Sequence, residues 1–190
     1  MSVTVRALST GRRDRKRFID TEWEIYREDP AWVPPLKRDM HAQLNPAKNP
    51  YHQHAESQLF LAEQNGRPVG RIAAHVNHNH EEHWHDGMGF FGFFECVNDQ
   101  EVANALFDAA REYLREQQRS AIRGPFSWSG NDPLGILVEG HGRSPTLMMP
   151  YNLPYYADLV EGAGLRKAKD LYAYWISDPG YVPDRLRRGV

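Results

Sequence analysis

The sequence lacks three things: a second cysteine, long unbroken apolar stretches and a net excess of positive charge. A single cysteine among 190 residues, Cys96, excludes an internal disulfide framework and is typical of a reducing compartment. No apolar stretch approaches the roughly 20 residues of a membrane-spanning helix, and the N-terminal residues contain no apolar signal core. The formal net charge of −2 provides no basic excess for a nucleic-acid backbone. We therefore expect a cytoplasmic protein that binds neither nucleic acid nor a membrane.

What is present is the composition of one globular domain, with 41% hydrophobic and 25% charged residues. The periodicity of apolar residues predicts an α/β protein. Strands are predicted at residues 3–8, 58–64, 68–77, 88–97, 120–126 and 165–177, with a short extended piece at 135–139. Helices are predicted from Thr10 or Asp14 to Arg27, at residues 36–44, from Asn98 to Leu114 and at residues 154–161. Residues 78–87 are predicted to form a polar loop.

Two of these predictions depend on local signals. Asn65-Gly66 between two apolar stretches is the strongest hairpin signal in the chain. The strand that follows alternates in polarity, so one face carries Ile72, Ala74 and Val76, and the other carries Arg71, Ala73, His75 and Asn77.

A strand, a turn and a helix follow one another at "GFFGFFECVNDQEVANAL". Asn98 is predicted to cap the helix, with Glu101 at the third helical position completing a capping box. A turn of this kind often holds a phosphate on glycine-rich backbone. This turn has no glycine and carries the carboxylates of Asp99 and Glu101.

The order of elements, together with "NGRPVGRIA", "GFFGFFE", "MMPYNLPYY" and "LVEGAGLRKAKDLYAYWI", resembles the GCN5-related N-acetyltransferase superfamily, and in particular a bacterial subgroup of it. The resemblance covers about residues 3–177, so we expect one domain at residues 1–177 and a tail or linker at residues 178–190. It implies a mixed, mostly antiparallel sheet flanked by helices, in which the parallel strands 88–97 and 120–126 separate near Val97. Members of the subgroup are often much longer, so a second domain in a longer parent chain is compatible with it. Homodimers are common in the superfamily.

The resemblance implies that acetyl-coenzyme A or another acyl-coenzyme A enters between the separated strands as co-substrate. The residues in the corresponding positions are Cys96, Val97, Asn98, Asp99 and Val102. A backbone amide near Val97 would polarise the thioester oxygen. The superfamily turn reads Gln/Arg-x-x-Gly-x-Gly/Ala, and its glycines are missing here, which leaves the binding of coenzyme A open.

Two residues are predicted to perform the chemistry. Glu95 follows a run of aromatic residues and glycines, on the same predicted strand face as Phe91 and Phe93, so burial would raise the pKa of its carboxyl and suit it to act as a base. The superfamily often has a tyrosine acid four residues before a Gly-Phe pair, but that position is Val160 here. Tyr155 and Tyr156 lie about one turn earlier, and either could supply the phenol. Tyr156 is the predicted acid, and packing of a helix start is the alternative role for both.

An acceptor site is predicted from polar and aromatic residues that flank the strands, since small-molecule sites combine apolar surface with a few polar groups. Its predicted members, which would hold a small-molecule amine, are His54, Asn77, Asn131, Glu139, Tyr151, Asn152 and Tyr155. Packing of a loop over the sheet would explain the same residues.

Histidines are concentrated in residues 75–86, where carboxylates accompany them. His and carboxylate side chains bind zinc or nickel, but no HExxH or paired-cysteine pattern occurs, so no metal ligand is predicted. Three functions therefore stay open: an acyl-coenzyme A-dependent N-acyltransferase, a non-catalytic domain of the same fold that binds a ligand or partner, and a metal-binding protein.

Overall fold

A computed structural model describes residues 2–174 and 184–188 of the chain. A five-stranded sheet with the strand order β1-β2-β3-β4-β5 forms its centre. The strands are β1 Thr4–Leu8, β2 Ala55–Gln64, β3 Arg67–Asn77, β4 Met88–Cys96 and β5 Ala121–Arg123. The helices are α1 Arg12–Ile25, α2 Lys37–Gln43, α3 His78–Trp84, α4 Gln100–Glu116, α5 Tyr156–Gly162 and α6 Asp184–Arg187, and a single 3-10 turn spans Pro50–Gln53. Neighbouring strands are antiparallel except β4 and β5, which are parallel. The predicted mixed sheet is confirmed.

The hairpin between β2 and β3 forms at Asn65 and Gly66, which both have positive φ angles, of 52° and 74°. Such a pair of left-handed residues matches the twist of two antiparallel strands. The alternation predicted for β3 is also present. Ile72, Ala74 and Val76 are buried with α4 and α5 in one core, whereas Ala73 packs with α1 and α2 in a second core on the opposite face of the sheet.

A β-bulge interrupts β4 and changes which side chains share a face. Arg71 pairs with Glu95 while Ala73 pairs with Gly92, so two residues of β4 oppose one residue of β3. Phe93, at the bulge, has a positive φ of 50°. The extra residue places Glu95 on the α1 face with Phe93, as predicted. The prediction that Glu95 also shares a face with Phe91 is wrong, because Phe91 lies before the bulge and packs in the α4 core.

The parallel strands β4 and β5 pair over three residues and then separate. Pairing ends at Phe90 and Arg123, and one further hydrogen bond joins the amide of Phe126 to the carbonyl of Phe91 at 2.7 Å. A Cβ atom on Gly92 would lie 1.8 Å from the carbonyl oxygen of Phe126, so only glycine permits this approach. The predicted separation is confirmed, but it begins at Gly92 rather than near Val97.

Four local predictions are wrong. Residues 78–87 are not a loop throughout, because Asn77 caps the short helix α3 by accepting a hydrogen bond from the amide of His80 at 3.1 Å. The cap of α4 is Asp99, whose carboxylate accepts from the amide of Glu101 at 2.9 Å, and not Asn98. Residues 135–139 form no strand. Residues 165–174 form none either, and 175–177, the end of that predicted strand, lie outside the described residues together with most of the predicted tail.

The last of these differences has a physical reason. Leu171, Tyr172 and Tyr174 are exposed by 62%, 77% and 87%, so their alternation with polar residues finds no sheet to pack against in the described chain. No helix within residues 2–174 and 184–188 is both long and apolar enough to cross a membrane.

Candidate active site

A cleft of about 710 Å³ opens on the α1 face of the sheet where β4 and β5 separate. Its floor is formed by Arg71, Phe93, Phe94 and Glu95 of the two central strands. One wall comes from the segment that links α1 to α2, and the other comes from residues 125–136 and 145–152. Most of the wall is apolar, including Trp32, Val33, Pro34, Leu36, Pro133, Ile136, Leu147, Met148 and Met149.

Glu95 lies on this floor and is 9% exposed. Its Oε2 atom accepts hydrogen bonds from the hydroxyl groups of Tyr26, at 2.7 Å, and Tyr156, at 2.8 Å. Burial, followed by repulsion from Glu22, raises the pKa of Glu95 to about 7, although Arg71 and the two hydroxyl groups act in the opposite direction. The carboxyl therefore exchanges a proton near neutral pH, which is what a general base requires.

Arg71 provides the positive charge of the cluster. Its Nη2 atom donates to Glu22 at 2.6 Å and lies 3.7 Å from Oε1 of Glu95, while Nη1 donates to the carbonyl of Phe18 at 3.0 Å. The guanidinium also lies over the ring of Phe18, 4.8 Å from its centroid. Two carboxylates thus face one guanidinium in a buried site, and the set can be neutralised by one proton or by one bound cation.

The hydroxyl group of Tyr156, the first residue of α5, also lies beside Glu95. Its hydroxyl donates to Glu95 and accepts from the backbone amide of Cys96 at 3.1 Å. The hydroxyl of Tyr155 donates to the carbonyl of Cys96 at 2.9 Å. Both polar groups of the Cys96 backbone that point away from β3 are therefore bonded to tyrosines of α5. Burial, together with the charge of Glu95, holds the pKa of Tyr156 far above its ordinary value, so the phenol stays protonated.

The residues predicted to hold coenzyme A have other contacts in this arrangement. The amide of Val97 donates to the carbonyl of Val69 at 3.0 Å, so in this structure that particular amide already has a partner. Cys96 and Val102 are completely buried, and burial raises the pKa of the Cys96 thiol. Asp99 caps α4, and Asn98 is exposed beside it.

Helix α5 packs directly against the start of α4. Gln100 donates to the carbonyl of Leu159 at 3.0 Å, and a Cβ on Gly162 would come within 2.3 Å of the Gln100 side chain. Arg111 of α4 donates to the carbonyl of Ala163 just beyond the end of α5. The turn before α4 is therefore closed by α5. The amide and carbonyl of Cys96 and the amide of Val97 are thus already bonded within the chain.

The predicted acceptor residues separate into two groups. Tyr151 and Asn152 line the cleft. The Tyr151 hydroxyl donates to Asp29 at 2.7 Å, and buried Asn152 bonds the backbone of Leu137 through both ends of its amide, at 2.6 and 3.1 Å. Tyr155 contacts the Cys96 backbone from the α4 side of the sheet.

Like Tyr155, the other four predicted acceptor residues do not line the cleft. His54 packs against the ring of Tyr51, with the ring centroids 5.3 Å apart. Asn77 lines a separate cavity of about 190 Å³ at the opposite end of β3. Asn131 and Glu139 are exposed on loops. Asp132, the neighbour of Asn131, lines the cleft instead.

The histidines of residues 75–86 are dispersed. His75 is buried between Tyr51 and the carbonyl of Phe126, His78 contacts Glu56, and His80 contacts Asp86. Within the described part of the chain, no group of three or more His, Cys, Asp and Glu side chains is arranged to hold a metal ion.

Sequence reasoning missed Glu22, Tyr26 and Arg71. Arg71 had a usable signal, because a charged residue on the same strand face as Ala73 and His75 must find a buried partner. Tyr26 and Glu22 gave no such signal, since both fit an ordinary amphipathic helix and lie far from Glu95 in sequence.

Solved structures with a similar arrangement of strands and helices show which fold this is. A tandem GNAT protein from the clavulanic acid biosynthesis pathway aligns with a TM-score of 0.56 at 16% identity, covering 86% of this chain and 43% of the other. An aminoglycoside acetyltransferase from an uncultured soil metagenomic sample, in complex with sisomicin, aligns with a TM-score of 0.55 at 10% identity, covering 93% and 97%. The chain has the GCN5-related N-acetyltransferase fold.

Two curated proteins are similar in sequence to this GNAT-fold chain. Protein YghO of Escherichia coli (strain K12) is 39% identical over 165 residues, which cover 87% of this chain and 42% of that protein. A bacterial ceramide synthase of Caulobacter vibrioides is 37% identical over 180 residues, which cover 92% of this chain and 47% of that protein. The chain thus spans less than half the length of these relatives. No family model matches the sequence.

Proposed function

We propose that the chain carries an N-acyltransferase site, in which an acyl group passes from acyl-coenzyme A to an amine that carries an apolar chain. The observation that supports this most is the position of Glu95. A carboxyl with a pKa near 7 lies on the floor of a mostly apolar cleft, in the GNAT fold. Such a group binds a protonated amine and then accepts its proton.

The apolar chain is proposed from the walls of the cleft. Leu36, Leu147 and Met148 lie along it and are exposed by 66%, 92% and 60%, although they line the same cavity as Glu95. A flexible apolar chain would cover them. The ceramide synthase among the relatives supports the same class of acceptor, because a ceramide is the amide of a long-chain amine.

In the proposed reaction, Glu95 removes a proton from the amine. An ammonium group loses one proton to Oε1 of Glu95, and the neutral nitrogen can then attack a carbonyl carbon. Acyl-coenzyme A supplies that carbon as a thioester. When the C–N bond has formed and the C–S bond breaks, the second proton of the nitrogen neutralises the thiolate. The proton on Glu95 returns to solvent, so the carboxylate is regenerated.

The test is a transfer assay with the purified chain. Acetyl-coenzyme A and palmitoyl-coenzyme A are each combined with a long-chain amino alcohol or with a short polar amine, and the amide is measured by mass spectrometry. We expect product with the long-chain amine and a loss of roughly 10²-fold or more in Glu95→Gln. Glu56→Gln is the matched control, because Glu56 is exposed on β2 and contacts His78. Equal rates for the two variants would remove Glu95 from the role of base.

A second candidate function is a non-catalytic domain that binds an apolar amine. The closure of the α4 turn by α5 supports it, since both polar groups of the Cys96 backbone are bonded to tyrosines. Calorimetry separates the two functions. Heat on addition of the long-chain amine, without heat for either acyl-coenzyme A at millimolar concentration, would favour the binding domain over the transferase.

A further inference from the structure

The two oxygen atoms of the Glu95 carboxylate have different surroundings. Oε2 accepts both hydroxyl groups, from Tyr26 at 2.7 Å and Tyr156 at 2.8 Å. A carboxylate oxygen with two such donors has little capacity left for another. Oε1 accepts no hydrogen bond from any residue in the described ranges, and its nearest cationic atom is Nη2 of Arg71 at 3.7 Å. The free acceptor of the cluster is therefore Oε1.

The side chain of Tyr26, the residue just after α1, is held in place by aromatic rings on more than one side. Its ring stacks on Trp32, with the ring centroids 5.1 Å apart and the planes at 16°, and Tyr151 packs against it at 5.9 Å. Tyr151 is held in turn by Asp29, which also accepts a hydrogen bond from the amide of Ala31 at 2.9 Å. Because Tyr26 is only 1% exposed, its hydroxyl group stays hydrogen-bonded to Glu95 and not to water.

We propose that Tyr26 is a positioning residue for Glu95. Its hydroxyl, together with that of Tyr156, occupies Oε2 and so directs the proton from the amine to Oε1. The part of the proposal that concerns the amine rests on the N-acyltransferase function proposed above. Tyr26 is not expected to contact the reacting atoms.

Other charged groups act on the same carboxyl and must be kept constant. The titratable and charged residues that face Glu95 are Glu22 of α1 and Tyr26 just after it, Arg71 of β3, the neighbouring Cys96, and Tyr156 of α5 with Tyr155 just before it. Tyr26→Phe changes only one of them and preserves the stacked ring. A hydrogen bond to the charged form of a carboxyl lowers its pKa, so losing one raises it.

The experiment measures this titration directly. Protein labelled with ¹³C at the glutamate side-chain carboxyl is titrated by NMR, and the Glu95 signal is assigned by its loss in Glu95→Gln. We expect Tyr26→Phe to raise the pKa of Glu95 by about one pH unit or more, because a hydrogen bond to a charged group is lost. If transfer is observed, the acidic limb of kcat/KM should move upward by the same amount.

Tyr113→Phe is the control, since Tyr113 is a half-buried tyrosine of α4 that packs on Phe60 in the other core. An unchanged Glu95 titration in Tyr26→Phe would overturn the proposal, even if the variant were less stable. Should Tyr26→Phe not fold, Trp32→Leu removes the stacking ring and should raise the pKa by a smaller amount, and no shift there would also overturn it. If Tyr26→Phe raised the pKa of Glu95 but the parent protein transferred no acyl group, the positioning role would be upheld and the acyltransferase function rejected.

Discussion

Two buried polar clusters lie on the same face of β3 and β4, and they differ in how completely their polar groups are paired. The Glu95 cluster contains Glu22, Tyr26, Arg71, Glu95 and Tyr156. It carries two carboxylates against one guanidinium, and Nε of Arg71 is buried without a partner among the described residues. The His75 cluster contains Tyr51, His75, Phe126 and Trp128, and its histidine is neutral and bonded at both ring nitrogens.

The pairing of His75 is determined by its neighbours. The carbonyl of Phe126 can only accept, so Nε2 carries the proton across 3.1 Å, and Nδ1 accepts from the hydroxyl of Tyr51 at 2.6 Å. Burial lowers the pKa of His75 to about 4. Since Phe126 also bonds Phe91 where β4 and β5 separate, this cluster fixes the start of the cleft. The His75 ring therefore has a partner at each nitrogen, whereas the Glu95 cluster keeps an unpaired guanidinium nitrogen beside the cleft.

The largest expected effect follows from removing the positive charge of the Glu95 cluster. Arg71→Leu would leave Glu22 and Glu95 buried with no cation, and we expect a loss of about 3–5 kcal/mol in the free energy of unfolding at pH 8. The loss should be smaller at pH 5, where Glu95 is protonated. Urea denaturation at both pH values measures it.

Arg17→Leu is the control for this variant, because Arg17 pairs with Glu63 at a half-exposed position and should contribute about 1 kcal/mol or less. If Arg71→Leu and Arg17→Leu lowered the free energy of unfolding equally, the charge of Arg71 would contribute no more to stability than that of a surface arginine.

The next prediction uses the opposite signs of the two titrations. The pKa of Glu95 rises from 4.5 to about 7 on folding, so its contribution to stability falls as pH rises between these values. The pKa of His75 falls from 6.5 to about 4, so its contribution falls as pH drops through that range. Between about pH 4.5 and 6.5 the two slopes oppose each other in the parent protein.

Glu95→Gln should remove one of the two slopes. The free energy of unfolding of this variant should then increase by about 3 kcal/mol from pH 4 to pH 7, because the His75 titration is no longer opposed by that of Glu95. Thermal or urea denaturation across this range checks it, with Glu56→Gln retaining the flatter profile of the parent. A flat profile in Glu95→Gln would mean that His75 does not stay neutral on folding.

The sequence predicted the strands that carry these clusters better than it predicted which residues form them. The hairpin at Asn65-Gly66, the two faces of β3 and the buried carboxyl of Glu95 all follow from periodicity, which is a local property. The bulge at Phe93 was not foreseen, because an extra residue in a strand depends on the partner strand. It is the bulge that places Phe91 and Glu95 on opposite faces.

The contents of the site depend on contacts between distant segments. Tyr26 meets Glu95 across 69 positions, and Tyr156 meets it across 61. The missing glycines mark the turn before α4 as divergent, but the packing of α5 against the start of α4 could not be inferred from them. The predicted strand at 165–177 rested on alternation alone, which does not specify a neighbouring strand.

The smallest expected effect compares one hydroxyl in each cluster. Tyr51→Phe leaves Nδ1 of His75 buried without a donor, and we expect a loss of about 1–3 kcal/mol in the free energy of unfolding. The Glu95 titration should not change, since Tyr51 belongs to the other cluster. Tyr26→Phe makes the same chemical change beside Glu95, where the Tyr156 hydroxyl remains on Oε2, so its main effect should be on the pKa. If Tyr51→Phe moved the Glu95 titration as much as Tyr26→Phe does, the two clusters would be electrostatically coupled and could not be treated as separate.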